Sequence, residues 1–259
     1  MKTIPTFLLA ACFIGSQAKA QQEANPMLAN AQTFIDVPYV AHTLETDGEE
    51  DLVINCDEVD CTTFVEYVLA LSLPSASGNK MSEIEFAAKL QGIRDREGKI
   101  YLYTSHLHYT SDWINNGVRG GFMEDVTAAN SPYTQKLSLS YMSSHPELYK
   151  HLSNSPENVT KMAEYEKALS GQEIHWLPKD KLPVNGLPWI KSGDIIVLTT
   201  NIPGLDTAHM GIAIYVKDTL CLLHASSSRG KVLVDKLALS RLLDRNKKWT
   251  GIRVIRMKK

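Results

Sequence analysis

The period of the apolar positions changes along this chain. Through the first two thirds the clearest pattern is helical. Cys61, Val65, Val68 and Leu69 fall on one stripe, and Pro74 with the Ser/Gly/Asn cluster after it ends that run near Leu73. Asn25-Pro26 predicts a helix start, with a short helical pattern over 27–36. Ser82 and Glu85 form a capping-box pair for a helix ending near Arg94. Two more helices are expected over 146–152 and 156–169, the second between Ser155 and Gly171. Residues 100–109 alternate and read as a strand with His106 and His108 on one face. The last third is rich in Ile, Val and Leu. It predicts strands over 194–200, 209–216, 219–225, 231–234 and 252–256, with a short helix over 237–243. Helices first and an antiparallel meander afterwards define an α+β chain.

The stretch 60–66 carries the first candidate chemistry. Asp60 suits an N-cap, accepting from the amide of Thr62 or Thr63. Cys61 then takes the first helical position, where unpaired amides and the helix dipole favour a thiolate. A free thiol titrates near about 8.5, and helix N-termini lower that value. Its place on the apolar stripe turns the thiol toward the core, where a base on another element can meet it. A buried structural cysteine is the competing interpretation of the same position.

The meander offers the base. If Lys217-Asp218 is a two-residue hairpin turn, Val216 faces Thr219 and His224 faces Gly211. His209 lies two residues from Gly211, so both imidazoles share a face as diagonal neighbours, about 7–8 Å apart at the backbone. A three-residue turn would separate them. Gly211 and Ala213 share that face and are expected to leave room for a helix to approach. Nucleophile, base and orienter together are what a cysteine hydrolase needs. The same Cys/His/His set could hold zinc, although no Cys-x-x-Cys or His-x-x-x-His spacing supports it.

Composition narrows the class. The chain has 259 residues, 44% hydrophobic and 22% charged, enough for a real core. A net charge of −2 gives no reason to expect nucleic acid or an anionic membrane as partner. Residues 1–20 read as an export signal: Lys2, an apolar stretch from Ile4 to Ile14, and Ala18-Lys19-Ala20 as the cleavage site. Residues 21–259 then form a single domain, exported to the periplasm. The alternative is a lipoprotein anchored through Cys12 after Leu9-Ala10-Ala11. No later segment is apolar enough to span a bilayer. Cys56, Cys61 and Cys221 remain after cleavage, an odd number that leaves at least one thiol unpaired within the chain.

The motifs DCTTFVE, HMGIAI and LLHASSSRGKV, in that order, resemble the cysteine, histidine and polar third-residue motifs of NlpC-type papain-like cysteine hydrolases. PYVAHTLE, HYTSDWI, SSHPELY and GLDTAHMGIA bring the chain closer to one branch, the N-acetylmuramoyl-L-alanine amidase-like proteins. The likeness runs from about residue 27 to 256. His42 stands where that pattern has Gly. The resemblance implies a papain-like fold, with the nucleophile helix packed on an antiparallel sheet or half-barrel and extra helices around it. It implies Cys61 as nucleophile, His209 as base and His224 as orienter. Tyr39 would help the Cys61 amide hold the oxyanion, and Tyr109, Ser111, Asp112 and Trp113 would wall the substrate cleft. Read without it, Ser111-Asp112-Trp113 is equally a helix start with a core tryptophan. The implied substrate is a muropeptide or peptidoglycan fragment, cut between N-acetylmuramic acid and L-alanine by a monomer without metal or cofactor. A γ-D-glutamyl-diaminoacid endopeptidase and a catalytically silent muropeptide-binding module are the alternatives.

Overall fold

A computed structural model describes residues 25–258, apart from 49, 76, 77 and 79. The expected signal segment and Cys12 lie outside the described residues. The helices are α1 (Pro26–Thr33), α2 (Cys61–Ser72), α3 (Glu83–Arg94), α4 (Thr110–Arg119), α5 (Val126–Asn130), α6 (Tyr141–Ser144), α7 (Lys150–Ser153), α8 (Pro156–Leu169) and α9 (Leu239–Arg245). The strands are β1 (Met123–Asp125), β2 (Thr134–Lys136), β3 (Glu173–His175), β4 (Leu177–Pro178), β5 (Ile195–Thr200), β6 (Thr207–Val216), β7 (Thr219–Ser226), β8 (Lys231–Val234) and β9 (Trp249–Met257).

The main sheet has seven strands in the order β1-β9-β5-β6-β7-β8, with β4 on β9, and every pairing is antiparallel. The α+β expectation holds. The unbroken run Ile195-Ile196-Val197-Leu198 is explained by burial on both faces. Ile195 and Val197 join Ile212, Ile214 and Leu223 beneath α1 and α2, against Val65, Val68 and Leu69. Ile196 and Leu198 join Ala213, Leu220, Leu222 and Val254 beneath α9, against Leu239, Leu242 and Leu243. A two-residue side-chain period sends alternate positions to the two layers. A smaller third cluster, with Tyr109, Leu139, Met142 and Met162, holds α6 and α8.

Local signals set several boundaries. Asn25 Oδ1 accepts from the Met27 amide at 3.0 Å and caps α1, and Ser155 caps α8. Ser82 Oγ accepts from the Glu85 amide at 3.2 Å, while the Glu85 carboxylate takes Lys89 at 2.9 Å. Two expectations fail. Residues 100–109 are not a strand: Tyr103–Ser105 is a 3-10 turn, and the only ladder contact is an isolated bridge from His106 to Asp95. Tyr103 and Tyr109 are drawn into the third cluster and Leu107 into the first, so the segment threads between two cores instead of lying on one sheet. The helix expected over 146–152 is broken by extended Tyr149 into a 3-10 turn (Pro146–Leu148) and α7. Among the described residues no helix is long and apolar enough to cross a membrane.

Candidate active site

The head of α2 is built by two short side chains. Asp60 Oδ1 accepts from the amides of Thr62 at 2.9 Å and Thr63 at 2.8 Å, and the Asp60 amide donates to Thr63 Oγ1 at 2.9 Å. Threonine thus closes a capping box in the position usually given to Glu or Gln. Cys61 is the first residue of the helix, half-buried, with Thr62 Oγ1 4.0 Å from its Sγ. The backbone amides of Met210 and of Cys61 itself also favour its thiolate. They do not win. Burial, with the Asp60 charge beside it, pushes the thiol up to about 12. The expectation of a lowered thiol pKa is therefore corrected: burial outweighs the amides at the helix tip, and the capping Asp60 carboxylate adds to it. A resting Cys61 keeps its proton and needs a base to take it.

The hairpin has the expected register. Val216 pairs with Thr219 and Ile212 with Leu223 across the Lys217-Asp218 turn, with Lys217 at φ 55°. His209 Nε2 and His224 Nδ1 are 2.6 Å apart, and the rings meet edge to face at 4.9 Å between centroids. Gly211 makes this possible, because a Cβ there would lie 2.8 Å from His224 Cβ. Trp249 also stacks on His209, with centroids 5.9 Å apart and planes at 14°. Burial and the neighbouring His224 push His209 down to about 3. Burial also lowers His224, and Asp235 opposes that effect. Asp235 Oδ2 lies 3.8 Å from His224 Nε2, outside hydrogen-bond reach, and Nε2 is buried with no hydrogen-bond partner.

One geometric expectation fails. The space over Gly211 and Ala213 does not receive α2. Gly211 faces His224 and Leu222, and Ala213 lies in the layer beneath α9. The helix packs instead on Met210, Ile212 and Ile214, the opposite face of β6. The thiol meets β6 at the amide of Met210, the residue next to His209. Among the described residues no hydrogen bond joins the thiol to an imidazole. Nor does any group of three or more His, Cys, Asp or Glu among them offer a metal ion a ligand set.

Tyr39 stands at the same end. Its amide donates to Gly230 O at 2.9 Å, it bridges to Val59, and burial and the Cys61 and Asp60 charges raise its hydroxyl to about 12. His42 takes φ 62°, so the loop keeps the left-handed turn that glycine would adopt. Histidine is among the residues that tolerate this conformation.

The four residues expected along the cleft wall are spent inside the fold. Tyr109 Oη donates to Glu166 Oε1 at 2.6 Å and accepts from the Met142 amide at 3.1 Å. The Ser111 amide donates to Asp206 at 2.6 Å, and its hydroxyl accepts from Arg253 at 3.1 Å. Asp112 pairs with Arg96, and Trp113 is 2% exposed in the main core. This favours the helix-start interpretation of that stretch over the cleft-wall one. The residues missed were Asp235 and Trp249. Extending the register one hairpin further pairs His224 with Leu233 and makes Asp235 a diagonal neighbour on the same face. That signal was available in the sequence.

A sheet carrying paired imidazoles, crossed by a helix with a thiol at its tip, is the arrangement a cysteine-dependent hydrolase can use. The chain belongs to the N-acetylmuramoyl-L-alanine amidase-like family, whose model matches residues 29–252. It is similar to a crystal structure of an N-acetylmuramoyl-L-alanine amidase from Bacteroides uniformis, at 64% identity and TM-score 0.89, covering 91% of this chain and 100% of that one. A Bacteroides fragilis protein provisionally called a xylanase is 67% identical, at TM-score 0.86, covering 89% of this chain and 100% of its own. A Legionella pneumophila protein at 20% identity and TM-score 0.67 shares the fold. No curated protein matches the chain.

Proposed function

We propose that this protein is an exported, periplasmic cysteine amidase of papain-like, NlpC-type fold. It cleaves the amide between N-acetylmuramic acid and L-alanine in peptidoglycan fragments. The observation that carries this reading is the 2.6 Å contact of His209 Nε2 with His224 Nδ1, beside the strand residue whose amide meets the Cys61 thiol. Asp235 favours the proton of His224 on Nε2, which makes Nδ1 an acceptor for His209 Nε2–H. The free nitrogen of His209 is then Nδ1, ready to take the thiol proton. The thiolate attacks the lactyl carbonyl carbon, and the oxyanion is held by the Cys61 amide and the Tyr39 hydroxyl. The imidazolium returns its proton to the departing L-alanine nitrogen. That leaves a thioester, which water hydrolyses with His209 as base again. No metal enters these steps.

Mass spectrometry of a digest of defined muropeptides tests the bond. The expected products are N-acetylmuramic acid and an intact peptide beginning with L-alanine. A stem cut after the D-glutamyl residue would assign the endopeptidase alternative. A cut glycosidic bond would agree with the provisional xylanase name of the Bacteroides fragilis relative. Binding without turnover would assign a silent binding module.

A further inference from the structure

A hollow of 370 Å³ opens beside the head of α2. Tyr39, Asp60 and Thr62 from the nucleophile end line it, together with Glu45, Glu50 and Asp95. Five carboxylates border it, with Asp51 the fifth, against one guanidinium, that of Arg94. Most of these charges are already committed. Asp60 caps α2. Glu45 Oε1 is 3.4 Å from His42 Nδ1. Arg94 gives Nε to Glu66 at 2.8 Å and Nη1 to Val53 O at 2.7 Å, and its Nη2 is buried without a hydrogen-bond partner. His106 and His108 also line the hollow, but burial keeps both uncharged near neutral pH.

Two acceptors are left over. Asp95 is 4% exposed, and its Oδ2 has no hydrogen-bond partner. Glu50 Oε1 is buried in the same condition, and His151 Nδ1, at 3.9 Å, is too far to donate to it. Burial and the charges of Glu66 and Glu50 push Asp95 up to about 7, with Arg94 only partly opposing. Burial and Glu45 raise Glu50 as well. Buried carboxylates normally find a partner, and an unpaired one is costly. A cavity open to a ligand, acidic in balance and holding two orphaned carboxylate oxygens suits a compact cation with several donors.

We infer that this hollow binds a primary ammonium group of the substrate, with Asp95 and Glu50 as its acceptors. On the amidase reading above, which supplies only the ligand's identity, that group is the side-chain amine of the diamino acid in the stem peptide. An ammonium offers three donors and matches two carboxylates at once. The site would then select muropeptides by stem composition, away from the scissile bond.

The test titrates the Cys61→Ala protein calorimetrically with N-acetylmuramoyl-L-alanyl-γ-D-glutamyl-diamino acid, its side-chain amine either free or acetylated. Acetylation is expected to weaken binding at least about tenfold, the size of one lost charge-assisted hydrogen bond. Asp95→Asn and Glu50→Gln, each made separately in that protein, should weaken the free-amine ligand and leave the acetylated one unchanged. Glu50 lies outside the helices and strands, so its variant keeps the test informative if Asp95→Asn folds poorly. Equal affinity for the two ligands, equal losses in the variants for both, or no binding of either would overturn the inference. Wild-type digestion separates the two claims. Equal cleavage of both ligands between sugar and L-alanine keeps the amidase reading and removes the ammonium site. Amine-selective binding with that amide left intact does the reverse.

Discussion

Two pairs of histidines sit on stretches with the same alternating pattern, and they have come to different uses. His209 and His224 lie on a true hairpin, joined by a 2.6 Å contact with Asp235 at 3.8 Å behind them. His106 and His108 lie on an irregular segment, with rings 4.6 Å apart and His108 Nε2 3.0 Å from Tyr103 O. All four are pushed down by burial, His209 to about 3 and His108 to about 4. The difference lies in where a positive charge could go. Asp235 opposes the depression at His224, so the first pair has an acid that can share a transient imidazolium. The second pair lines a hollow that also holds Asp95 and Glu50, yet no carboxylate opposes the depression of His106, and after burial and His108 the nearby Arg94 and Arg96 lower it further. Burial makes a histidine neutral, and a nearby carboxylate that opposes the depression makes it easier for the pair to gain a proton and give it back.

The largest effect should come from the partner of the first pair. Cys61→Ala should lower turnover of a defined muropeptide by about 10⁴-fold or more with an unchanged circular dichroism spectrum, since nucleophile and base act as a unit. Cys61→Ser should be nearly as inactive, because an alcohol is a poorer nucleophile beside a base tuned for a thiol. His209→Ala should follow closely. His224→Ala should lose about ten- to a hundredfold less than Cys61→Ala, and His224→Asn should retain more than His224→Ala. A wild-type rate for His224→Ala would remove the orienter from the account.

Asp235→Asn tests what separates the two pairs. It should lower kcat about tenfold and leave KM nearly unchanged, since the carboxylate acts on the imidazolium and not on the bound ligand. The acidic limb of the pH–kcat profile should move to lower pH, because an imidazolium without its carboxylate gives up its proton more readily. An unchanged profile would place Asp235 outside the chemistry.

How much of this was legible depended on how local the signal was. The α2 cap, the β6–β7 turn and the pairing of His209 with His224 each rest on residues within about one hairpin of each other. Sequence reasoning reached all three. It failed where distant burial decides. Gly211 and Ala213 are small because His224, Leu222 and the α9 layer crowd them, not to admit α2. Residues 100–113 mimic a strand and then a binding wall because their aromatic positions feed two cores, and neither core is visible from the segment alone. The thiol was misjudged because burial at the tip of α2 outweighs the amides there, with the capping Asp60 carboxylate adding to it.

Smaller effects sharpen the contrast through stability. Gly211→Ala should cost about 1–3 kcal/mol in chemical denaturation and reduce turnover, since the new methyl meets backbone and His224 Cβ at 2.8 Å. His108→Gln should leave turnover within about twofold, as expected for a residue outside the chemistry. It should also flatten the acid side of the stability profile. Burial depresses its folded pKa: between the ordinary imidazole value of 6.5 and about 4 the unfolded chain binds the proton and the folded one does not, so stability rises with pH through that window. Denaturation midpoints at pH 4.5 and 7 should differ less in His108→Gln than in the wild type. A large loss of turnover instead would make the second histidine pair part of the site.

The central claim is a thioester on Cys61, and hydroxylamine tests it without requiring the intermediate to accumulate. A defined muropeptide is digested with increasing hydroxylamine, and the sugar products and the released L-alanyl peptide are measured together by mass spectrometry. A thioester would partition between water and hydroxylamine, so the hydroxamate of N-acetylmuramic acid should rise with hydroxylamine at the expense of the free acid. Cys61→Ala should form neither product. Peptide release that continues with no hydroxamate at any concentration, or hydroxamate formed by Cys61→Ala, would contradict the account.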